Sequence, residues 1–133
     1  MTRRLATISL LVPDYDPAIA WFTGVLGFRL LEDTPMGPAK RWVVVGPDDG
    51  HAGASLLLAR AATPEQQAAI GRQAGGRVLL FLHTTDFHAD HAAMAARGVK
   101  FIEAPRHEAY GWVVVFEDCC GNRWDLLEQP QPR

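Results

Sequence analysis

The chain has 133 residues, of which 48% are hydrophobic and 21% charged, as is typical of one folded globular domain rather than a disordered chain. Its formal net charge is −2 and no run of Lys or Arg stands out, so nucleic acid is not an expected partner. The apolar run at residues 5–12 is too short to span a membrane and lacks the pattern of a signal peptide. We therefore expect a cytoplasmic protein with no membrane partner.

The first half of the chain predicts a strand, a helix and three more strands. Asp16 is the expected N-cap of the helix, with Pro17 at its first position. Apolar residues then recur at spacings of three and four up to Gly27, where the helix is expected to end. His51 follows a glycine turn and is expected to be exposed. The predicted strands cover residues 5–12, 28–31, 41–45 and 54–59.

A connector at residues 61–76 precedes a second, similar half. Thr63 and Pro64 predict the start of a short helix there. In the second half, a helix is expected at residues 86–97 and a polar loop at residues 104–110. The tail at residues 129–133 is expected to fray. The predicted strands cover residues 78–83, 99–102, 112–116 and 124–127.

The two halves repeat one pattern. Trp42 and Trp112 each begin a Trp-Val-Val-Val strand that leads into a turn, and we take the two positions as equivalent. Repetition of this kind predicts tandem copies of one supersecondary unit. The sequence thus predicts an α+β fold of about eight largely antiparallel strands. A single domain, residues 1–133, would hold one β-α-β-β-β module at about 4–60 and a second at about 77–129.

Two motifs resemble the vicinal oxygen chelate superfamily of glyoxalase I, bleomycin-resistance proteins and extradiol dioxygenases. Residues 14–28 begin Asp-Tyr-Asp and end Leu-Gly-Phe, and residues 121–126 read Gly-Asn-Arg-Trp-Asp-Leu. The likeness covers nearly the whole chain. It implies paired βαβββ modules that form half-barrel sheets around a cavity, often in a homodimer. In metal-dependent members, His, Gln or Glu side chains from the first and last strands of each module bind a divalent cation.

The resemblance places few metal ligands in this chain. Its first-strand positions fall at Thr7 and at Leu79, or Val78 if the register slips by one. The strand at residues 54–59 contains no carboxylate, imidazole or amide. Asp125 alone matches a ligand position, where the family commonly has Glu. We therefore expect no cofactor and no standard metal site, with Asp125 as a weak metal candidate that could equally pair with an arginine or a backbone amide.

Several polar and aromatic side chains are candidates for contacting a ligand. His83 could act as a base or a hydrogen-bond donor, or could simply be satisfied by backbone or water at the end of its strand. The polar loop offers a guanidinium fork for carboxylates and aromatic faces for stacking, or could be a solvated loop with internal ion pairs. The full set of ligand-binding candidates is His83, Arg106, His107, Tyr110, Trp42, Trp112 and Asp125.

Other residues carry weaker signals. His88 and His91 lie three apart on the second helix and are expected to be solvated. Cys119 and Cys120 are adjacent, so they cannot link distant segments. Reduced thiols in the cytosol are the expected state, and the role of the pair is left open.

The favoured function is binding of a small aromatic or anionic molecule in the cavity, without the standard metal. The alternative is a metal-dependent lyase, isomerase or dioxygenase of the same superfamily, with non-standard ligands such as His83, His107 or Asp125. A third alternative is a structural or interaction domain. The sequence leaves open whether the protein is an enzyme, which ligand it binds, and whether the modules pair within or between chains.

Overall fold

The computed structural model describes residues 1–48, 50 and 53–130, whose strands form one sheet of four strands and one of five. Each sheet belongs to its own unit of the chain, Met1–Ile70 or Gly71–Arg133. The predicted α+β class is confirmed. None of the helices in the described ranges has the length and apolar character of a membrane span. The predictions for His51 and for the last three residues of the tail fall outside the described part of the chain.

The first unit contains the predicted strand, helix and three further strands. Its sheet has the order β1-β4-β3-β2, in which β1 and β4 are parallel and the other pairs antiparallel. The helix predicted in the connector is present, and the Thr63 hydroxyl caps it by accepting from the Gln66 N–H at 3.1 Å. The elements are β1 (Thr7–Val12), α1 (Tyr15–Ala20), a π-helical segment (Trp21–Val25), β2 (Arg29–Pro35), β3 (Arg41–Gly46), β4 (Ser55–Arg60) and α2 (Pro64–Ala69).

The first helix begins earlier than predicted. Asp14, not Asp16, is its N-cap, because the Asp14 carboxylate accepts from the Tyr15 N–H at 2.8 Å while its backbone is extended. Pro17 then falls in the first helical turn, where its missing N–H leaves no hydrogen bond unmade. The helix continues into the π-helical segment and ends at Gly27, which has a φ of 84°.

One face of this helix covers the sheet of the first unit. Four of its side chains, at spacings of three and four residues, are nearly inaccessible to solvent. Strands β1, β3 and β4 supply the opposite wall of this core. Each large aliphatic or Phe side chain among them contributes roughly 2 kcal/mol of hydrophobic stabilisation. The helical members are Tyr15, Ala18, Phe22 and Leu26, and the strand members are Leu10, Val12, Val43, Val45, Leu56 and Leu58.

The second unit has one strand more than predicted. Its sheet has the order β5-β9-β8-β6, and a further strand, β7, pairs with β8. The loop expected at residues 104–110 is wrong in part, because Arg106–Glu108 pairs antiparallel with the start of β8 across a tight turn at residues 109–110. The elements are β5 (Val78–His83), α3 (Phe87–Ala96), β6 (Lys100–Phe101), β7 (Arg106–Glu108), β8 (Gly111–Glu117) and β9 (Arg123–Glu128).

The predicted equivalence of Trp42 and Trp112 is wrong: the residue of the first unit that matches Trp112 is Arg41, one position earlier. Trp112 stacks on Phe87 at the start of α3, with ring centroids 6.0 Å apart. In the first unit, it is Arg41 that lies over the ring of Tyr15 at the start of α1, at 5.2 Å. Because successive side chains of a strand point to opposite faces, Trp42 lies on the other face of its sheet. The Trp-Val-Val-Val sequence repeat is therefore shifted by one residue relative to the structural equivalence of the two strands.

A buried carboxylate organises the turn between β8 and β9. Asp118 is 7% exposed and accepts four hydrogen bonds of 2.9–3.0 Å. Its Oδ1 accepts from the backbone N–H groups of Cys120 and Asn122. Its Oδ2 accepts from the Asn122 side-chain amide and the Trp124 indole. Asp48, in the corresponding turn of the first unit, accepts from a single donor among the described residues, the Gly50 N–H at 2.8 Å.

We predict that Asp118→Ala lowers the free energy of unfolding by about 3 kcal/mol, because several buried donors lose their acceptor at once. Asp48→Ala is the matched control and should cost only about 1 kcal/mol. Urea denaturation of the three proteins measures both values. Equal losses for the two variants would contradict the structural role assigned to Asp118.

Candidate functional site

The first unit contains an open cavity of about 690 Å³, within the range of small-molecule sites. It lies where β1, β3 and β4 meet the start of α1 and the connector that leads into α2. The cavity therefore involves three strands of one sheet and both helical segments that flank it.

Alternation along β1 and β4 supplies one wall. Ser9 pairs with Leu57 and Leu11 with Ala59 in the parallel register, and all four side chains line the cavity. Leu10, between Ser9 and Leu11, is 1% exposed and faces the core instead. The sequence thus separates an apolar core face from a cavity face made of small and aliphatic side chains.

The cavity opens where β3 and β4 part. The two strands share only two partner pairs, Val44 with Leu57 and Val45 with Leu56. Beyond them, the backbone N–H of Arg41 donates to the Tyr15 hydroxyl at 3.2 Å. A side chain from α1 thus provides the acceptor at this end of β3, and a buried N–H without a partner would be costly.

Arg41 is fixed at the edge of the cavity by two carboxylates. It forms a bidentate pair with Asp33, with Nε–Oδ1 and Nη2–Oδ2 distances of 3.1 and 2.7 Å. Its Nη1 also lies 2.8 Å from Asp16. The hydrogen bond from Arg41 lowers the pKa of Asp33 below its usual value. The guanidinium charge is thus largely compensated, and its role is to position β3.

Two other cations at the cavity have no carboxylate paired with them among the described residues. Lys40 and Arg60 both line the cavity and are exposed. Neither is in an ion pair within the described ranges. The lining includes no Asp or Glu, and Trp42, which is 37% exposed, adds an aromatic face. The site thus offers positive charge and a flat apolar surface together.

Most sequence-predicted candidates lie in the second unit, where the structure brings four of them, Arg106, His107, Tyr110 and Trp112, into the hairpin of β7 and β8. Arg106 forms ion pairs with Glu103 at 3.0 Å and Glu108 at 2.7 Å. This agrees with the alternative in which the polar segment holds internal ion pairs instead of offering its guanidinium to a ligand. Glu103 also accepts from the backbone N–H of Val115 at 3.0 Å, which ties this pair to β8. Tyr110, at the hairpin turn, is 50% exposed.

Two more candidates stack on each other. His107 is exposed, and its ring lies 4.6 Å from that of Trp112, nearly parallel to it. Trp112 also contacts Phe87 and His88 of α3. Trp112 is therefore part of the packing between α3 and its sheet.

The other two candidates of this unit, His83 and Asp125, share the opposite face of the sheet. His83 is exposed at the end of β5, and Phe81, 60% exposed, pairs with Asp125 in the parallel register. Asp125 Oδ1 is buried, and no hydrogen-bond partner for it lies within the described residues, although the charge of Arg106 acts on this carboxyl group. Burial raises the pKa of Asp125, which Arg106 opposes. Trp124 points the other way, as the alternation predicts, and is 3% exposed.

The strand positions that the resemblance assigns to metal ligands do not fit a divalent transition metal. Thr7 offers only a neutral hydroxyl, and Leu79 offers no donor atom. In the first unit, the position that corresponds to Asp125 by strand pairing is Leu57. Such ions prefer imidazole, thiolate or several carboxylate ligands. Among described residues, only Asp118, Cys119 and Cys120 form a group of three such side chains with ligand atoms within 4.8 Å of one another.

Sequence reasoning found Trp42 but missed the rest of this cavity. The missed residues are Tyr15, Lys40, Arg41 and Arg60, together with the small residues of β1 and β4. Residue-type signals favoured the second unit because its histidines and acids are conspicuous. The available signal was the alternation of Ser9-Leu10-Leu11 beside that of Leu57-Leu58-Ala59, next to a stretch without carboxylates.

A repeated β-α-β-β-β unit, with a cavity on the strands of one copy, defines a tandem-module α+β class of protein. The chain belongs to the Glyoxalase/Bleomycin resistance protein/Dioxygenase superfamily, whose family model matches residues 4–126. This confirms the resemblance seen in the two sequence motifs.

Relatives match over nearly their whole length. An uncharacterized protein of Shewanella frigidimarina is 52% identical over 129 residues, covering 96% of this chain and 95% of that protein. The crystal structure of UcmS2 has a TM-score of 0.81 at 29% identity, covering 96% of this chain and 98% of its own. TnmS3, an antibiotic-binding protein from Streptomyces sp. CB03234, has a TM-score of 0.73 at 29% identity, covering 97% and 98%.

Asp125 and Asp33 should affect the pH dependence of stability in opposite directions. The pKa of Asp125 is raised by burial, so the folded chain keeps a proton that the unfolded chain has released, and stability falls as pH rises through that interval. The pKa of Asp33 is lowered by Arg41, so its contribution is present above the unfolded pKa and lost as pH falls through the folded one.

We predict that Asp125→Asn gains stability relative to wild type, and Asp33→Asn loses it, as pH rises from about 3 to about 7. Urea titrations of each variant across this range measure the differences. The two variants serve as controls for each other, since both remove one carboxylate. Slopes of the same sign would refute the assignment for one of the two residues.

Proposed function

We propose that this chain is a glyoxalase/bleomycin-resistance-type protein that binds a small aromatic or anionic molecule in the cavity of its first unit, without a divalent metal. The observation that carries the proposal is the combination of Trp42, Lys40 and Arg60 around a cavity whose lining has no carboxylate. An aromatic anion satisfies both features, because its ring can stack on the indole while its charge meets the cations.

The size and shape of the cavity support a compact ligand. A volume of about 690 Å³ is enough for a drug-sized molecule. Ser9 and Ala59 contribute small side chains to its lining, which occupy little of the space that a flat ring needs. The Tyr15 hydroxyl and the Ser9 hydroxyl are polar groups within the lining that could orient such a molecule.

A relative supports binding as the activity. TnmS3, 29% identical over nearly the whole chain, is described as an antibiotic-binding protein. Binding and sequestration of an aromatic compound need a shaped, charged cavity but no reactive metal. The first unit supplies such a cavity. It is poorly suited to a metal, because Thr7 offers only a neutral hydroxyl and Leu57 no donor atom.

The fluorescent anion 8-anilinonaphthalene-1-sulfonate and its uncharged analogue N-phenyl-1-naphthylamine test this proposal together. The double variant Lys40→Gln/Arg60→Gln should bind the anion about tenfold more weakly and the neutral compound unchanged, because only the charge interaction is lost. Trp42→Ala should weaken both about tenfold, because the stacking surface is lost. Fluorescence titration measures each affinity.

Two variants in the second unit are the matched controls. Phe81→Ala removes an exposed aromatic ring and Lys100→Gln an exposed cation, and neither residue is among those that line the cavity. Neither should change the affinity for either compound. An anion affinity that survives in the Lys40/Arg60 variant, or that falls equally in the control variants, would show that the dye binds elsewhere and would remove the support for this site.

We also propose that the protein acts in the cytoplasm as a homodimer. Each sheet has two edge strands, β1 and β2 in the first unit and β5 and β6 in the second, and exposed strand edges favour pairing or coverage by a partner. Light scattering at micromolar concentration should give twice the 14.6 kDa chain mass. A mass equal to one chain would contradict the dimer.

A further inference from the structure

The turn between β8 and β9 brings two thiols together. Cys119 is exposed and Cys120 half-buried, and both are free. Their Sγ atoms lie 3.5 Å apart. They are the only two cysteines of the chain, so any thiol chemistry of this protein takes place at this turn. Neither cysteine is among the described residues that line the cavity of the first unit.

The turn that carries the thiols is held at several points. The Cys120 N–H donates to Asp118 Oδ1 at 2.9 Å, and the Gly121 N–H donates to the Asp118 carbonyl at 3.2 Å. The backbone of Gly71 packs against the same turn so closely that an added Cβ would lie 2.3 Å from the Cys120 carbonyl oxygen. The backbone that positions the two sulfurs is therefore ordered before any ligand arrives.

The thiols are the only donors of this group that remain free for a ligand. Asp118 lies beside them, yet each of its oxygens already accepts two hydrogen bonds from within the turn and from Trp124. An ion at this site would have two sulfur ligands from the described residues and no carboxylate. Zinc in structural sites takes four protein ligands, so two thiols are a poor match for it.

The separation of the sulfurs suits chelation of one atom by both. With sulfur bonds of about 2.3 Å, a separation near 3.5 Å corresponds to a bond angle at the central atom of roughly 100°. A tetrahedral ion with the same bonds would hold the sulfurs about 3.8 Å apart, and a linear two-coordinate ion about 4.6 Å apart. An angle near 100° is that of a three-coordinate pyramidal centre with a lone pair, as in trivalent arsenic or antimony.

We propose that Cys119 and Cys120 form a dithiol site for a trivalent pyramidal metalloid, presented at the surface of the second unit. With an arsenous group R–As(OH)₂, two As–O bonds break and two As–S bonds form. Each thiol proton leaves with a hydroxide as water, so two waters are released and the arsenic stays trivalent. No oxidant or reductant takes part.

The hydrogen bond between the thiols favours a stepwise reaction. It lowers the pKa of Cys120 and raises that of Cys119, so Cys120 is the sulfur that attacks first as a thiolate. Cys119 then closes the chelate, and its proton leaves with the second hydroxide.

Phenylarsine oxide, which hydrates to the arsenous form, tests the site on the full chain. One equivalent should block both thiols of the wild type, seen by thiol titration and as one added phenylarsenic group in the intact mass. Cys119→Ser and Cys120→Ser should each weaken binding by about 100-fold or more, because the second bond of a chelate is then lost. Thermal melts check that the variants fold, and Lys100→Gln, which changes an exposed side chain outside the turn, should bind as wild type does.

Two further arms test the geometry. The folded chain should bind the arsenical about tenfold more tightly than the same chain unfolded in urea, because the turn is already ordered. Zinc should bind the wild type no better than the double serine variant. Single-cysteine variants that bind as tightly as wild type, equal affinity in urea, or zinc binding that depends on both thiols would each overturn the proposal.

Discussion

The contact between Arg41 and Tyr15 sets the geometry on which the cavity of the first unit depends. Tyr15 is buried at the start of α1, and its hydroxyl accepts the backbone N–H of Arg41 while the guanidinium lies over its ring. Asp33 and Asp16 then fix the guanidinium from the other side. Because Tyr15 provides an acceptor there, β3 does not need β4 at that end, and the strands separate around a space that a ligand can enter.

The second unit shows what the same pattern gives without this contact. Trp112 takes the place of Arg41 and packs on Phe87, which has no hydroxyl to offer the strand. Strands β8 and β9 stay paired along six residue pairs, from Trp112–Glu128 to Glu117–Arg123. Glu128 accepts from the Phe87 N–H at 2.7 Å and so joins the end of β9 to α3. The two units thus differ at two matched positions, Tyr15 against Phe87 and Arg41 against Trp112. They differ also in strand pairing, since β3 and β4 part where β8 and β9 stay paired.

The sequence predicted the α+β class, the order of the main elements and the family, because hydrophobic periodicity and turn residues are local signals. It placed the first helix cap at Asp16 because Pro17 follows it, whereas the hydrogen bond from Tyr15 to Asp14 decides the start. It missed β7 because three polar residues pair across a turn that ends in Gly111, a partner that local composition does not reveal. The cavity was missed for the same reason: it arises from the separation of two strands, which depends on a long-range contact.

The two units also differ in how they treat charge, and this difference bears on where an anion would bind. In the second unit, the Arg106 guanidinium is matched by Glu103 and Glu108, and Asp125 adds a further carboxylate to the same neighbourhood. In the first unit, Leu57 stands at the position that corresponds to Asp125, and two cations of the cavity, Lys40 and Arg60, form no ion pair within the described residues. A low-dielectric wall strengthens the field of an uncompensated charge. The position that carries a carboxylate in the second unit therefore adds no negative charge beside the cavity of the first.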